Sequence, residues 1–125
     1  MITALYAGLL GLLSTYLAFR TGSTRGRKGI VIGDGGDREM LLEMRRHANF
    51  VEYVPLALVL VMLLEMEGVR PGAIHALGAA LVVGRVAHAA GLQADTMKSP
   101  LRAVGATFTA LVIVIASVWA VARYF

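Results

Sequence analysis

The chain has 125 residues, carries a net charge of +4 and is 58% hydrophobic with a mean hydropathy of +0.71, which excludes an ordinary soluble domain. It contains no cysteine. Disulfides, thiolate chemistry by the protein itself and cysteine-ligated metals are therefore excluded, and any thiol chemistry needs a thiol brought by the substrate.

Four long apolar stretches, near residues 2–19, 49–67, 72–92 and 101–122, each approach the roughly 20 residues that cross a bilayer as a helix. Their continuity predicts helices rather than membrane strands, which would alternate apolar and polar residues. The expected fold is all-α: one integral membrane four-helix bundle over 1–125, with helices at about 2–20, 38–67, 72–92 and 100–123 and no separate soluble domain.

The first stretch carries Leu9, Leu10, Leu12, Leu13 and Leu17, and Gly8 and Gly11 offer points of close approach. It lacks a basic start and runs into Arg20, so it reads as a retained span rather than a signal peptide. Thr21 to Asp37 is rich in glycine, serine and arginine and reads as a polar loop. At its end Asp37 is the expected N-cap of the second helix, with Glu39 in the first turn. Gly33-Asp34-Gly35-Gly36-Asp37 has neither the preceding strand nor the lysine spacing of a phosphate-binding loop.

The second helix spans roughly 30 residues, or about 45 Å at 1.5 Å each, and exceeds the hydrocarbon core. Its first turns, including Arg45 to Glu52, are expected at the membrane boundary, and Pro55 removes one backbone hydrogen bond just beyond them. The third helix is rich in small residues, among them Gly78, Gly84, Ala87 and Gly91, and is predicted to be the most enclosed. The fourth starts near Pro100 and ends in Trp119, Tyr124 and Phe125, an expected interfacial anchor.

Ten of the twelve basic residues flank the first and third connections, leaving only Arg70 and Arg123 at the other side. The positive-inside rule then predicts that both basic loops face the cytoplasm and both termini face away. Nucleic acid is not an expected partner, because the chain has no soluble module to hold it.

The most polar part of an apolar helix is the run Arg45-Arg46-His47-Ala48-Asn49-Phe50-Val51-Glu52-Tyr53. At 100° per residue, Asn49 lies about 40° from Arg45 and Glu52 about −20°, so the three share one face. Two turns separate Arg45 from Glu52, and each is expected to need a partner other than its counterpart. Arg85 and His88 on the third helix and Arg102 on the fourth fall at the same level. Lone arginines at a membrane edge usually snorkel to lipid phosphates, which is the expected role of Arg46, Arg85 and Lys98. For Arg45, Asn49, Glu52, His88 and Arg102 together, a zwitterionic, peptide-like ligand is the better fit. His47, His75 and His88 lack metal-ligand spacing, and no metal site is expected.

These residues carry a resemblance. Arg45-x-x-x-Asn49-x-x-Glu52-Tyr53-x-Pro55, the preceding Gly33-Asp34-Gly35-Gly36-Asp37, and Arg85-Val86-Ala87-His88 followed by Arg102 resemble the membrane-associated proteins in eicosanoid and glutathione metabolism, in particular their short bacterial members. The match runs in order along the whole chain. The resemblance implies a left-handed four-helix protomer assembled as a homotrimer, with glutathione as co-substrate between neighbouring subunits near the cytoplasmic face of a bacterial inner membrane. It assigns glutathione binding to Arg45, Asn49, Glu52, Tyr53 and His88, and thiolate stabilisation to Arg102. A guanidinium beside a thiol lowers a pKa that is otherwise about 8.5 and enlarges the nucleophilic population. Two positions depart from the family pattern: Leu92 stands where family enzymes often carry tyrosine, and Ala48 where one eukaryotic branch has arginine. Arg25 and Arg27 are left as further candidate ligand contacts.

The function expected first is a glutathione-dependent transferase or peroxidase acting on lipophilic electrophiles or hydroperoxides that arrive from the bilayer. The alternative is a non-catalytic membrane protein that binds lipid or a small anion, or that partners another membrane complex. A transporter or proton relay is disfavoured, since Ala73 to Val83 offers only His75 as an ionisable group.

Overall fold

The computed structural model describes residues 1–96 and 98–125. Its four helices are α1 (Ile2–Lys28), α2 (Arg38–Met66), α3 (Pro71–Gly91) and α4 (Pro100–Tyr124). No strand occurs among the described residues, and each helix is long and apolar enough to cross a membrane.

Helix α1 runs eight residues past the expected end at 20, so the polar loop shrinks to 29–37. Arg25, Arg27 and Lys28 stabilise the last turn against the negative end of the helix dipole. Gly29 then stops the helix at φ 65°, a left-handed conformation that costs glycine little, and its N–H bonds back to Arg25 and Gly26. Three further glycines with positive φ, Gly33, Gly35 and Gly36, turn the chain within the loop.

At the start of α2 the Asp37 side chain accepts from the Met40 N–H at 2.8 Å, as the N-cap reading requires, and Lys28 Nζ lies 2.7 Å from its other oxygen. That ammonium holds the Asp37 carboxyl below the usual carboxylate range, helped by the Met40 N–H. α2 continues as one helix through Pro55. Pro71 and Pro100 open α3 and α4 at first-turn positions where the missing N–H costs nothing, and the Ser99 hydroxyl caps α4 at the Arg102 N–H.

Helix α2 touches all three others, whereas α1 and α4 do not meet among the described residues. The bundle is thus a rhombus with α2 and α3 across its short diagonal. The core between them holds Leu10, Leu17, Phe50, Val54, Ala57, Val61, Leu77, Leu81, Val112 and Ala116. Outward positions are themselves apolar, including Leu12, Phe19, Val59, Val114 and Val118, as lipid contact demands.

The small residues of α3 do what their size predicts, for α3 is the most enclosed helix. A Cβ at Gly91 would fall 2.3 Å from the Arg102 backbone nitrogen, and one at Gly105 would fall 2.4 Å from that of His88. The α3–α4 seam therefore depends on glycine from both sides. At the C-terminus Trp119, partly buried, packs against the core, and Tyr124 and Phe125 form an edge-to-face pair with centroids 5.2 Å apart.

At the end away from the basic loops, polar groups answer one another. Glu65 accepts the N–H groups of Ile2 and Thr3, Tyr6 shares a 2.9 Å hydrogen bond with His75 Nδ1, and Arg123 reaches Glu67.

Candidate functional site

The face between α2 and α4 opens onto a recess of about 210 Å³ whose floor is α3. Asn49 and Tyr53 line it from α2, Arg85 and His88 from α3, and Ala106, Thr109 and Ala110 from α4. Three features of the sequence build it. Asn49 and Tyr53 are one turn apart on α2, and Arg85 and His88 are nearly one turn apart on α3. Gly105 then lets α4 come close against the His88 backbone.

Arg85 is 1% exposed, a buried cation rather than a snorkelling one. Its Nη2 donates to Asn49 Oδ1 at 2.7 Å, and its guanidinium lies 5.8 Å from the centre of the Phe50 ring. Among the described residues no carboxylate lies within 4.0 Å of it. The Nε of Arg85 and the Nδ1 of His88 are both buried without a hydrogen-bond partner there. A buried cation bonded to a neutral amide, beside a second unmatched polar nitrogen, is costly, and an acceptor entering the recess would offset that cost.

The structure separates the sequence candidates into three positions. Asn49, Tyr53 and His88 converge on the recess. Arg45 and Glu52 sit beside it at the surface and, contrary to the expectation that two turns keep them apart, approach each other to 3.7 Å because both side chains are long enough to bend along the helix. Arg45 also lines a shallower hollow with Arg38 and Leu42. Arg102 does not line the recess; it is half-buried on the first turn of α4, with its backbone against Gly91 and its charge felt at His88.

Sequence reasoning underrated Arg85, placing it among lipid-facing cations. The available signal was its spacing of three from His88 on a helix of small residues, which turns both toward a neighbour. Arg46 is not lipid-facing either: it is mostly buried, with Nη1 2.7 Å from Glu43, three residues earlier on the same helix, and Nη2 2.8 Å from the Leu92 carbonyl. Arg25 and Arg27 are occupied within the chain. Arg25 donates to the carbonyls of Ile30 and Gly33, and Arg27 pairs with Glu39. Leu92 is the residue at which α3 stops.

Four membrane-crossing helices with a polar recess on one flank define a class, the small helical-bundle membrane proteins that can take a polar ligand at their flank. The model of the MAPEG family matches residues 3–122, and the chain belongs to that family. It is 35% identical over 120 residues to the inner membrane protein YecN of Escherichia coli strain K12, a match covering 95% of this chain and 92% of that protein. The YecN of Escherichia coli O6:H1, strain CFT073, matches to the same extent.

Proposed function

We propose that the protein is a glutathione-dependent membrane transferase or peroxidase, embedded in a bacterial inner membrane with its basic loops and its site toward the cytoplasm. The observation that carries this reading is the meeting of Arg85, a buried cation bonded to a neutral amide, with His88, Asn49 and Tyr53 in one recess. Glutathione offers two carboxylates and two amide carbonyls as acceptors and an ammonium for Glu52. Family membership supplies the prior for that ligand over other zwitterions.

A homotrimer fits the same geometry. The recess, at about 210 Å³, is smaller than the roughly 300–1,000 Å³ usual for ligand pockets, and it is open on the α2–α4 flank. Arg45, Glu52 and Tyr53 stand exposed along its edge, where charged groups would otherwise meet lipid. A neighbouring subunit laid on this flank would supply the missing wall. Arg102, on the first turn of α4 with its charge felt at His88, then acts by stabilising the ligand thiolate, which attacks the electrophilic carbon of a lipophilic substrate and expels its leaving group, or attacks the terminal oxygen of a hydroperoxide. In the second case a second glutathione completes the disulfide while alcohol and water leave.

The test is calorimetry of glutathione binding to detergent-solubilised protein, with conjugation of an aryl halide as the activity readout. Binding together with conjugation above the buffer blank is expected; neither would end the proposal. Arg102→Ala should lower the thiolate absorbance near 240 nm more than it lowers binding, and an unchanged signal removes Arg102 from that role. The position of Arg102 outside the recess favours one second reading, a non-catalytic protein that binds glutathione or a small anion without activating it. Binding with no thiolate signal and no turnover would select it.

A further inference from the structure

The flank opposite the recess, between α1 and α3, carries a second groove of about 250 Å³. Two arginines close it at one end, Arg20 from α1 and Arg46 rising from α2 beneath, while Leu13, Tyr16, Val86 and Ala90 line the rest. We propose that this groove is a binding site for an anionic glycerophospholipid, with the phosphodiester between Arg20 and Arg46 and an acyl chain along Leu13 and Val86. The inference stands independently of glutathione binding.

The depth is right for a headgroup. From Glu65, which meets the first residues of α1, to Arg46 the helix α2 rises about 28 Å at 1.5 Å per residue, close to the roughly 30 Å of a hydrocarbon core. Both guanidiniums therefore lie at the polar boundary, and Leu13 on α1 and Val86 on α3, which runs parallel to α1, lie deeper. Ala90 and its neighbour Ala89 are small, and their size leaves the groove open just below the cations.

The charge is right as well. Glu43, 2% exposed, is 2.6 Å from Arg20 Nη2 and 2.7 Å from Arg46 Nη1, and so fixes both guanidiniums in place. Two cations on one carboxylate leave one positive charge, which matches a single phosphodiester. Unused donors remain for it. Arg20 is 42% exposed and of its nitrogens Nη2 is the one bonded to Glu43, while Arg46, 13% exposed, adds its charge from beneath. Arginine at a membrane surface is worth roughly 1 kcal/mol toward anionic lipid, about a fivefold affinity change for each residue.

Native mass spectrometry of the detergent-solubilised protein, titrated with phosphatidylglycerol, phosphatidylcholine or glycerol 1-phosphate, reads this out. Phosphatidylglycerol adducts are expected at concentrations at least tenfold below those needed for phosphatidylcholine. Arg20→Gln should weaken them about fivefold. Ala90→Trp, which fills the groove and keeps every charge, should do at least as much, and it guards against a folding defect in the charge variant. Equal adducts with the two lipids, or Ala90→Trp indistinguishable from the parent, would overturn the site. Full displacement of the lipid by equimolar glycerol 1-phosphate would overturn its lipid character and leave a phosphate site.

Discussion

The two flanks of this bundle treat arginine in opposite ways. On the α2–α4 side Arg85 meets a neutral amide, Asn49, and keeps its whole charge for whatever enters the recess. On the α1–α3 side Arg20 and Arg46 share the carboxylate of Glu43 and are held in place by it. An isolated buried charge is expensive, so a protein retains one where a ligand repays the cost, whereas a shared carboxylate repays it within the chain. The far end of the bundle shows the limiting case, with Glu65 against backbone N–H groups and Tyr6 against His75.

Glu43→Gln attacks the comparison hardest. It leaves Arg46 buried without a counter-charge, and loss of one member of a buried pair costs about 3–5 kcal/mol. A large drop in thermal midpoint in detergent is the expected result, and a midpoint within a degree of the parent would show that Glu43 is not the anchor. Gly105→Val comes next. Its Cβ would meet the His88 backbone at 2.4 Å, so α3 and α4 must part at a cost of about 1–3 kcal/mol or more. Glutathione binding should fall along with stability, and a parent-like melting curve would show that the seam yields freely.

Arg85→Met separates the flanks most sharply, because it should lose function without losing stability. Replacing a buried charge by an apolar group of similar volume is often neutral or stabilising. One charge-assisted hydrogen bond to ligand is worth roughly 1.5–3 kcal/mol, so calorimetry should show glutathione affinity lowered about 10- to 150-fold. A destabilised variant with unchanged affinity would make Arg85 structural, like Glu43.

The smallest effect belongs to Asp37, outside the spanning segments. Its folded-state pKa is held below the unfolded value of about 3.9, so its contribution is fully present above that pH and is lost as pH falls through the lower folded value. Melting temperatures of the parent and of Asp37→Asn should differ at neutral pH and converge below about pH 4. Curves that stay parallel through that range would remove the Lys28 pair from the account.

Much of the architecture was legible in the residues. Apolar runs of membrane length locate the helices, because the bilayer sets both the composition and the length of a span, and Asp37, Pro71 and Pro100 mark starts whose chemistry is local. Helix α1 overran its expected end because Thr21 to Lys28 is polar yet still helical. Polarity there marks the emergence from lipid, while the stop comes from Gly29. The shared face of Arg45, Asn49 and Glu52 followed from helical periodicity, but their partners did not, since periodicity is silent about neighbouring helices.

Sequence alone thus determined a chain of four apolar helices, the face on which α2 gathers its polar side chains, and the small residues that let α3 and α4 approach. Tertiary structure decided which arginine faces the recess and which are anchored. Arg85, Arg46 and Arg102 are chemically alike, and only the packing of the helices buries the first beside an amide, brings the second to the Leu92 carbonyl and sets the backbone of the third against Gly91. The cost of a buried charge depends on what lies within a few ångströms of it, and that distance is a property of the fold.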